Sequence, residues 1–321
     1  MHDGYTTMKI ITLQEMKAAL AGVDLIPEIE AGFVAYSEHR AEVPPVGALR
    51  FTNPPGDVHI KYGYLHDDEF YVIKIASGFY ENPSRGLPSG NGLMLLFDQK
   101  TGELAAVLLD EGYLTDLRTA VAGAIAAKYL APRTVTRIGI FGTGVQARLQ
   151  LQLLRGVTPC REVLVWGRHA QRAADYKAEM EREGFTVAIA GNMRDVPRTC
   201  DLIVTTTAAA APLILAADAR PGTHITAVGA DSAHKQELDA AIFSTADVVV
   251  VDSVSQCADH GDLAHAVRAG LIQPTDAREL GAVIAGRAPG RTSPAQLTVA
   301  DLTGVAVQDV QIAKATYRAC R

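Results

Sequence analysis

Gly142, Gly144 and Ala147 have the spacing G-x-G-x-x-A, between a strand-like run, RIGIF, and a run of helical periodicity, VQARLQLQLL. In this context the first glycine permits a tight turn, the second lets the backbone approach a phosphate, and the alanine lets helix and strand pack closely. Unpaired N–H groups at the start of the helix would attract that phosphate. The pattern predicts a dinucleotide pyrophosphate site; the alternative is an ordinary glycine-rich turn. The predicted loop comprises Gly142, Thr143, Gly144, Val145, Gln146 and Ala147.

The end of the next predicted strand, EVLVW, indicates which dinucleotide this loop would bind. Sites that prefer NAD usually carry Asp or Glu there for the ribose hydroxyls. Here Trp166 and Gly167 are followed by Arg168, with Arg172 one helical turn further on. Because arginine can pair with the 2′-phosphate of NADP, the sequence favours NADP(H) and leaves NAD(H) open. The alternative for Arg168 is a solvated residue at the start of a helix.

The elements around the loop predict a parallel sheet. From Val135 onward, short apolar runs such as DLIVTTT and ADVVVVD alternate with helical segments. Strands that alternate with helices form βαβ units, and these build a parallel sheet buried on both faces. The predicted fold class is therefore α/β, with a Rossmann-type doubly wound parallel sheet over residues 126–301.

The residues before this sheet have a different pattern. Residues 9–39 place apolar side chains at helical spacing, with a break near Gly22, whereas residues 50–98 contain short β-branched and aromatic runs. Lys100-Thr101-Gly102 predicts a hairpin turn between two strands. A helix packed on a mixed or antiparallel sheet, an α+β arrangement, is expected here.

An alanine-rich segment, residues 115–130, predicts a helix with Thr115 as its N-cap and an end at Ala131-Pro132. The tail 302–321 reads as a turn followed by a helix that returns to the first domain. The first domain is therefore predicted to comprise residues 1–125 together with 302–321.

Composition excludes several functional classes. The 321 residues carry a net charge of −6, and aromatic residues make up only 6%, whereas a nucleic-acid-binding protein would show a basic excess and aromatic stacking surfaces. No apolar run approaches the ~20 residues of a membrane-spanning helix, and MHDGYTTMKI lacks the features of a secretory signal. The four cysteines show no C-x-x-C spacing. A cytoplasmic protein with reduced thiols, without a nucleic-acid or membrane partner, is expected.

Motifs in a consistent order are distributed along most of the chain. They are Lys74-Ile-Ala-Ser-Gly, Leu87–Met94, Leu114–Ala120, Gly142–Ala147, Thr205–Thr207, Ala227–Leu238 and Asp301–Asp309. Together they resemble the ornithine cyclodeaminase/mu-crystallin family, and DEGYLTDLRTA and VIKIASGFYENP are similar to its ectoine-utilisation branch. The resemblance implies an NAD(P)-binding Rossmann domain, a separate substrate-binding and dimerisation domain, a homodimer, and chemistry at the Cα–N bond of an amino acid or imine.

The resemblance implies that Arg50, Lys74 and Arg118 hold the substrate α-carboxylate and that Ser89 faces substrate or cofactor. The residue chemistry agrees, because Lys74 interrupts an apolar strand, VIKIA, and Arg118 opposes the dipole in the first turn of its helix. The alternatives are a solvent-facing lysine at a strand edge and an arginine in an interface salt bridge.

Asp231 follows the predicted strand THITAVGA, at the sheet edge where doubly wound folds place chemistry. The resemblance implies that it activates water or donates a proton to the imine nitrogen, with Lys74 as the second catalytic residue. The competing interpretation is an N-cap for a helix HKQELDAA. Lys235 would tune Asp231 and, with Thr206, belong to the cofactor-binding set. His260 and His265 lack a third ligand at metal spacing, so no metal site is expected.

Lys61 is where the chain departs from the ornithine-type members of that family, which carry a glutamate there for the distal amine. A lysine repels a cationic side chain, so an anionic or neutral substrate is expected rather than ornithine or lysine. The predicted function is an NAD(P)-dependent imine (ketimine) reductase or amino-acid dehydrogenase. The alternatives are a redox-neutral cyclodeaminase of a diamino acid and a non-catalytic NADP(H)-regulated binding protein.

Overall fold

The computed structural model describes residues 8–79 and 81–320. The chain divides into two compact units: unit 1 comprises Met1–Arg118 and Val305–Arg321, and unit 2 comprises Thr119–Gly304. The strands are β1 (Lys9–Thr12), β2 (Ala41–Glu42), β3 (Gly47–Thr52), β4 (Pro55–Leu65), β5 (Phe70–Phe79), β6 (Gly90–Asp98), β7 (Leu104–Leu109), β8 (Ile138–Phe141), β9 (Glu162–Trp166), β10 (Thr186–Ile189), β11 (Leu202–Thr205), β12 (Ala210–Ile214), β13 (His224–Ala227), β14 (Gln236–Leu238), β15 (Val248–Val251), β16 (Arg278–Glu279) and β17 (Thr298–Asp301). The helices are α1 (Leu13–Ala19), α2 (Ile26–Ser37), α3 (Tyr113–Leu130), α4 (Val145–Leu153), α5 (Ala170–Arg182), α6 (Asp195–Thr199), α7 (Ala241–Thr245), α8 (Val254–Asp259), α9 (Gly261–Arg268), α10 (Leu280–Ile284) and α11 (Ala306–Ala319).

Unit 1 is built on a seven-stranded sheet in the order β1-β7-β6-β5-β4-β2, with β3 also paired to β4. The pairs are antiparallel except for β1 with β7, which is parallel. The predicted hairpin turn is confirmed: the Asp98 carboxylate accepts hydrogen bonds from the backbone of Lys100 and Thr101, both at 2.8 Å, and Gly102 has φ +73°.

One face of this sheet is covered by α11. Phe70 of β5 meets Tyr317 of α11 edge to face, with ring centroids 5.3 Å apart. The helix is tied down further by an ion pair between Lys314 and Asp68. Because alternate residues of a strand share a face, Phe70, Val72 and Lys74 all point towards α11, and all three are buried. We call this side the inner face.

Two local predictions for unit 1 are wrong. Residues 9–12 are a strand rather than part of a helix, and α1 begins at Leu13 behind a capping box of Thr12 and Glu15. Thr115 is not the N-cap of α3, because that helix begins at Tyr113. The Asp110 carboxylate instead accepts from the backbone N–H of Leu114 at 2.9 Å. The predicted end of the helix before Ala131-Pro132 is confirmed.

Unit 2 contains an eight-stranded sheet in the order β10-β9-β8-β11-β13-β17-β15-β16, and all of its pairs are parallel. The strands β8, β11 and β15 are buried along their whole length. This confirms the doubly wound α/β prediction. From the adjacent strands β8 and β11 the chain continues in opposite directions, to β9 and β10 on one side and to β13 on the other, and β17 later returns between β13 and β15. The carboxyl ends of β8 and β11 therefore form the switch point at which such sheets bind ligands. Among the described residues, no helix is long and apolar enough to cross a membrane.

Candidate active site

The loop after β8 has the backbone that the glycine spacing predicts. Gly142 has φ +112°, and a Cβ added there would lie 2.5 Å from the Thr206 hydroxyl oxygen, so only glycine fits. Gly144 is extended at the N-cap of α4, and a Cβ built on it meets no atom within 4 Å. Ala147 is fully buried. The first turn of α4 therefore begins beside a tight turn at Gly142 whose backbone is open to a ligand at Gly144. We call residues 142–144 the cradle, because backbone of this kind holds phosphate.

A cavity of ≈ 210 Å³ adjoins this cradle and is bounded by loops that follow three strands of the sheet. Its lining residues are Gly142, Thr143, Gly144, Trp166, Gly167, Arg168, His169, Arg172, Thr206, Thr207, Ala208, Ala209 and Leu213. The predicted residues Arg168, Arg172 and Thr206 are thus brought to one pocket. No carboxylate is among the described residues that line it, whereas Val145, Gln146, Ala147 and Lys235 lie outside the lining.

Asp231 lies on the loop after β13 and pairs with Lys235, whose ammonium nitrogen is 2.7 Å from Asp231 Oδ1. The Asp231 side chain is 44% exposed and that of Lys235 is 16% exposed. The interpretation of Asp231 as a helix N-cap is wrong, because the residues that follow form strand β14 rather than a helix. The carboxylate therefore remains at the sheet edge with a cation beside it.

Glu237, which sequence analysis missed, ties the loops at this edge together. Its buried carboxylate accepts hydrogen bonds from the Thr205 hydroxyl at 2.6 Å and from the backbone of Thr207 and Gly229 at 2.5 and 2.8 Å. Burial raises its pKa, although these donors oppose the rise. The loop that carries Thr207 lines the cavity, and the loop that begins at Gly229 carries Asp231, so one carboxylate fixes both. No spacing rule identifies such a residue, since its donors are brought to it by the sheet.

Three more acids, Asp252, Asp262 and Asp301, are buried along the same edge. Burial raises the pKa of Asp301 to about 8 and that of Asp262 well above its usual range. Cys257 is also fully buried, and burial raises its pKa well above its usual value, which disfavours the thiolate that a nucleophilic cysteine needs. Among the described residues, no group of three or more His, Cys, Asp or Glu side chains could hold a metal ion.

In unit 1, Lys74 and Arg118 converge on one carboxylate, that of Asp309. Lys74 Nζ and Arg118 Nε each donate to Asp309 Oδ1 at 3.0 Å, and the Arg118 guanidinium also donates to Gln308 Oε1 at 3.1 Å. Lys74 is 2% exposed, Arg118 5% and Asp309 1%. The alternative of a solvent-facing Lys74 is wrong, and the salt bridge of Arg118 is an internal one within unit 1.

Lys61 stands beside this cluster, because it is the direct cross-strand partner of Lys74 in the β4–β5 pair. Residues paired in this way project from the same face of the sheet, so Lys61 also belongs to the inner face. Burial, then the charge of Arg118, lowers the pKa of Lys74 to about 7, and Asp309 opposes that shift. Burial alone would raise the pKa of Asp309, but Lys74, Arg118 and Lys61 together hold it below its usual value.

Arg50 and Ser89 are placed apart from the cluster. Arg50 is exposed on β3, where it is paired with Asp57 of β4. Asp57 lies four residues before Lys61, which corresponds to roughly 13 Å along the strand. Arg50 shares the inner face with Lys61. Ser89 is exposed just before β6, where its carbonyl accepts from the backbone N–H of Phe79 at 2.8 Å. The structure thus joins Lys74, Arg118 and Lys61, and leaves the other two predicted residues at a distance.

Comparison with known proteins identifies the family of this chain. The family model described as the ornithine cyclodeaminase/mu-crystallin family matches residues 7–321. This chain belongs to that family. An uncharacterised cyclodeaminase of Sinorhizobium fredii is 42% identical, and the match covers 97% of this chain and 96% of the relative.

Two solved structures of relatives are similar to this chain over nearly its full length. An archaeal alanine dehydrogenase, a dimer with bound NAD, is 34% identical with a TM-score of 0.89, and the match covers 97% of this chain and 95% of the relative. The iminosuccinate reductase of Paracoccus denitrificans in complex with NAD+ is 31% identical with a TM-score of 0.86 and coverages of 97% and 96%. Both relatives were solved with NAD or NAD+ bound.

Proposed function

We propose that this chain is an NAD(P)-dependent oxidoreductase that acts on the Cα–N bond of a small amino acid, as an imine reductase or amino-acid dehydrogenase. The observation that carries the proposal is the buried pair Lys74 and Arg118, a carboxylate-binding arrangement in a chain that also forms a dinucleotide cradle. An alanine dehydrogenase and an iminosuccinate reductase share the fold and support the reaction class. Unit 2 binds the dinucleotide in this proposal, and unit 1 binds the substrate.

The residues of unit 2 fit a dinucleotide. A side chain at Gly142 would occupy the turn, α4 presents its amino end, and the adjoining cavity follows the switch point of the sheet. When bound, the nicotinamide supplies the hydride exchange with the substrate Cα. Asp231 holds or donates the proton at the substrate nitrogen, or activates water there, and Lys235 keeps it partnered at 2.7 Å.

NADP(H) is the preferred cofactor in this proposal. The described lining of the cavity contains Arg168 and Arg172 but no carboxylate that would bind the ribose hydroxyls and repel a 2′-phosphate. An arginine fork gives a charge-assisted, bidentate contact to phosphate. The two relatives were solved with NAD, so the preference for NADP(H) is tested by kinetics on this chain itself.

The substrate of this proposal carries an anionic or neutral side chain, and a dicarboxylic imine suits the charges best. Lys61, Lys74 and Arg118 supply three cationic groups around the single carboxylate of Asp309. The inner-face row next to Lys61 and Lys74 comprises His59, Ala76 and Gly92, so it adds no carboxylate to the site. A diamino acid such as ornithine would bring another cation to a site that already has an excess.

We also propose that the protein is a homodimer. The outer face of the unit 1 sheet carries an apolar row across five strands, Tyr62, Ile73, Leu95, Val107 and Ile10. Ile10 is 58% exposed and Tyr62 39%. Contiguous exposed apolar surface of this kind usually marks an interface, and the archaeal relative is a dimer.

The four cysteines, all free, support a cytoplasmic location in this proposal.

The proposed function is tested by following the absorbance of reduced nicotinamide. NADPH, and separately NADH, is supplied with ammonia or methylamine and a panel of 2-oxo acids that includes oxaloacetate, pyruvate and glyoxylate. We expect net oxidation of the cofactor, with NADPH preferred and oxaloacetate preferred over pyruvate. Ammonia release from ornithine with only catalytic amounts of cofactor would instead establish a redox-neutral cyclodeaminase. Nucleotide binding without either reaction would establish a regulated binding protein.

A further inference from the structure

Asp309 is a fully buried carboxylate whose partners come from two other elements. It lies in the first turn of α11, where a negative charge is favoured by the helix dipole. Lys74 reaches it from β5, with Nζ 3.0 Å from both Oδ1 and Oδ2, and Arg118 reaches it from α3. The neighbouring residue Gln308 accepts a second hydrogen bond from Arg118. The position of both cations is therefore set by two consecutive residues of one helix.

The charges explain why a carboxylate is needed at this position. Two cations this close repel each other strongly when they are buried, because little water separates them. The groups that act on Lys74 are Arg118 from α3, Asp309 from α11, Lys61 from β4 and Asp110 from the segment before α3. Asp309 neutralises one of the two charges that it touches. One net positive charge then remains between Lys74 and Arg118, which matches a single substrate carboxylate.

We propose that Asp309 is a positioning residue that holds Lys74 and Arg118 side by side as one clamp for the substrate α-carboxylate. The inference rests on the proposed function, because it takes that carboxylate as the ligand of the clamp. Asp309 touches no reacting atom in this arrangement and acts through the two cations. It also keeps Lys74 in the ammonium form, which binds an anion, in a site where burial favours the neutral amine.

The test compares Asp309→Asn with Asp68→Asn. Asp309→Asn keeps the shape of the side chain and removes its charge. We expect the KM for the 2-oxo acid or imine to rise on the order of ten-fold or more, since charged hydrogen bonds are lost. The KM for the nicotinamide cofactor should stay unchanged. The alkaline limb of kcat/KM against pH should move to lower pH, because Lys74 loses its proton more easily. A purely structural residue would lower activity equally at every pH.

Asp68→Asn is the matched control, because it breaks a different ion pair of the same helix, that with Lys314. It should reduce stability without moving the pH limb. A folded Asp309→Asn with wild-type KM and pH profile would overturn the proposal. If that variant does not fold, Asp309→Glu, which keeps the charge and displaces it by one methylene, takes its place. It should keep the pH limb and raise the KM for the 2-oxo acid or imine, and a wild-type KM would overturn the proposal.

The experiment also separates this inference from the proposed function. Binding of oxaloacetate is measured by calorimetry in the wild type and in Asp309→Asn, whether or not turnover is found. Binding by the wild type that is lost in the variant supports the clamp even if no reaction is detected. Equal binding by both proteins overturns the clamp alone, whereas binding by neither overturns the proposed substrate class and the clamp with it.

Discussion

At the scale of single residues, buried groups that hold their neighbours in position differ from more exposed groups that border the proposed ligand sites. Asp309 and Glu237 are buried and accept several hydrogen bonds each. Arg168 and Asp231 are more accessible and lie on the loops that follow β9 and β13. Removing a residue of the second kind should change specificity more than stability, because little packing is lost.

Arg168→Ala tests the cofactor preference. The KM for NADPH should rise on the order of ten-fold, because a charge-assisted contact to the 2′-phosphate is lost. The KM for NADH should stay nearly the same, since NADH has no group there. Steady-state kinetics with both cofactors measure this, and Arg182→Ala, outside the described lining of the cavity, is the control. An equal loss with both cofactors would mean that Arg168 does not read the phosphate.

The sequence is informative about residues that violate a local rule and uninformative about their distant partners. Lys74 is recognisable because a lysine interrupts an apolar strand, and Gly142 because its spacing demands a turn. Asp309 contacts Arg118 across 191 positions of sequence, and only the packing of α11 on the sheet creates that contact. A carboxylate in a helical motif carries no local sign of its role, so the structure was needed to find it.

At the scale of elements, the parallel sheet of unit 2 gathers acids at its carboxyl edge. Asp252 follows β15, Asp301 ends β17, and Asp262 lies in the first turn of α9. Asp262 accepts hydrogen bonds from the backbone of Glu237 and Leu238 at 2.7 and 2.9 Å, and Asp301 accepts one from the backbone of Leu263 at 2.8 Å.

Local sequence patterns do not decide whether a short segment at the side of a sheet is helix or strand. The strand β1 was predicted as helix because KIIT fits both periods, and pairing with β7 decides the outcome.

The buried acids make stability depend on pH. The folded-state pKa of Asp301 is about 8, above the ordinary value of 3.8, so the folded state binds the extra proton and loses stability as pH rises from about 4 through 8. Asp301→Asn, a neutral isostere of the protonated acid, should remove this loss. We expect its Tm, relative to the wild type, to rise by on the order of 5 °C between pH 5 and pH 9.

Differential scanning fluorimetry across that range measures this difference. Comparison with the wild type at each pH is needed, because the pKa values of Lys74 and His224 are lowered by burial. Those two groups make the protein more stable as pH rises, between about 7 and 10.5 for Lys74 and between about 3 and 6.5 for His224. A Tm difference that does not vary with pH would show that Asp301 is ionised in the folded protein.

At the scale of the whole molecule, the sheet of unit 1 has two faces with different uses. The inner face carries Lys61 and Lys74 and is covered by α11, whereas the outer face carries aromatic and aliphatic side chains. On the outer face, Tyr71 and Phe97 stack with ring centroids 4.9 Å apart. Because strand residues alternate, the register that points Lys74 towards Asp309 and the proposed substrate site also points Ile73 to the opposite side. The site and the proposed dimer interface are therefore specified by the same strands.

Tyr62→Lys tests that interface. The substitution places a charge at one end of the apolar row, next to Ile73, and a buried unpaired charge is strongly unfavourable in an interface. We expect wild-type protein to sediment at twice the 34.1 kDa of the chain and the variant to sediment as a monomer. Val23→Lys is the control, since Val23 is 43% exposed and lies between α1 and α2, outside the sheet. A monomeric wild type, or a Tyr62→Lys protein that remains a dimer at the same concentration, would show that the outer face is not where two copies meet. Because Lys61 precedes Tyr62 on the same strand, the KM for the oxo acid is measured on the same samples, and an unchanged KM in the monomeric variant would show that the proposed substrate site does not depend on the dimer.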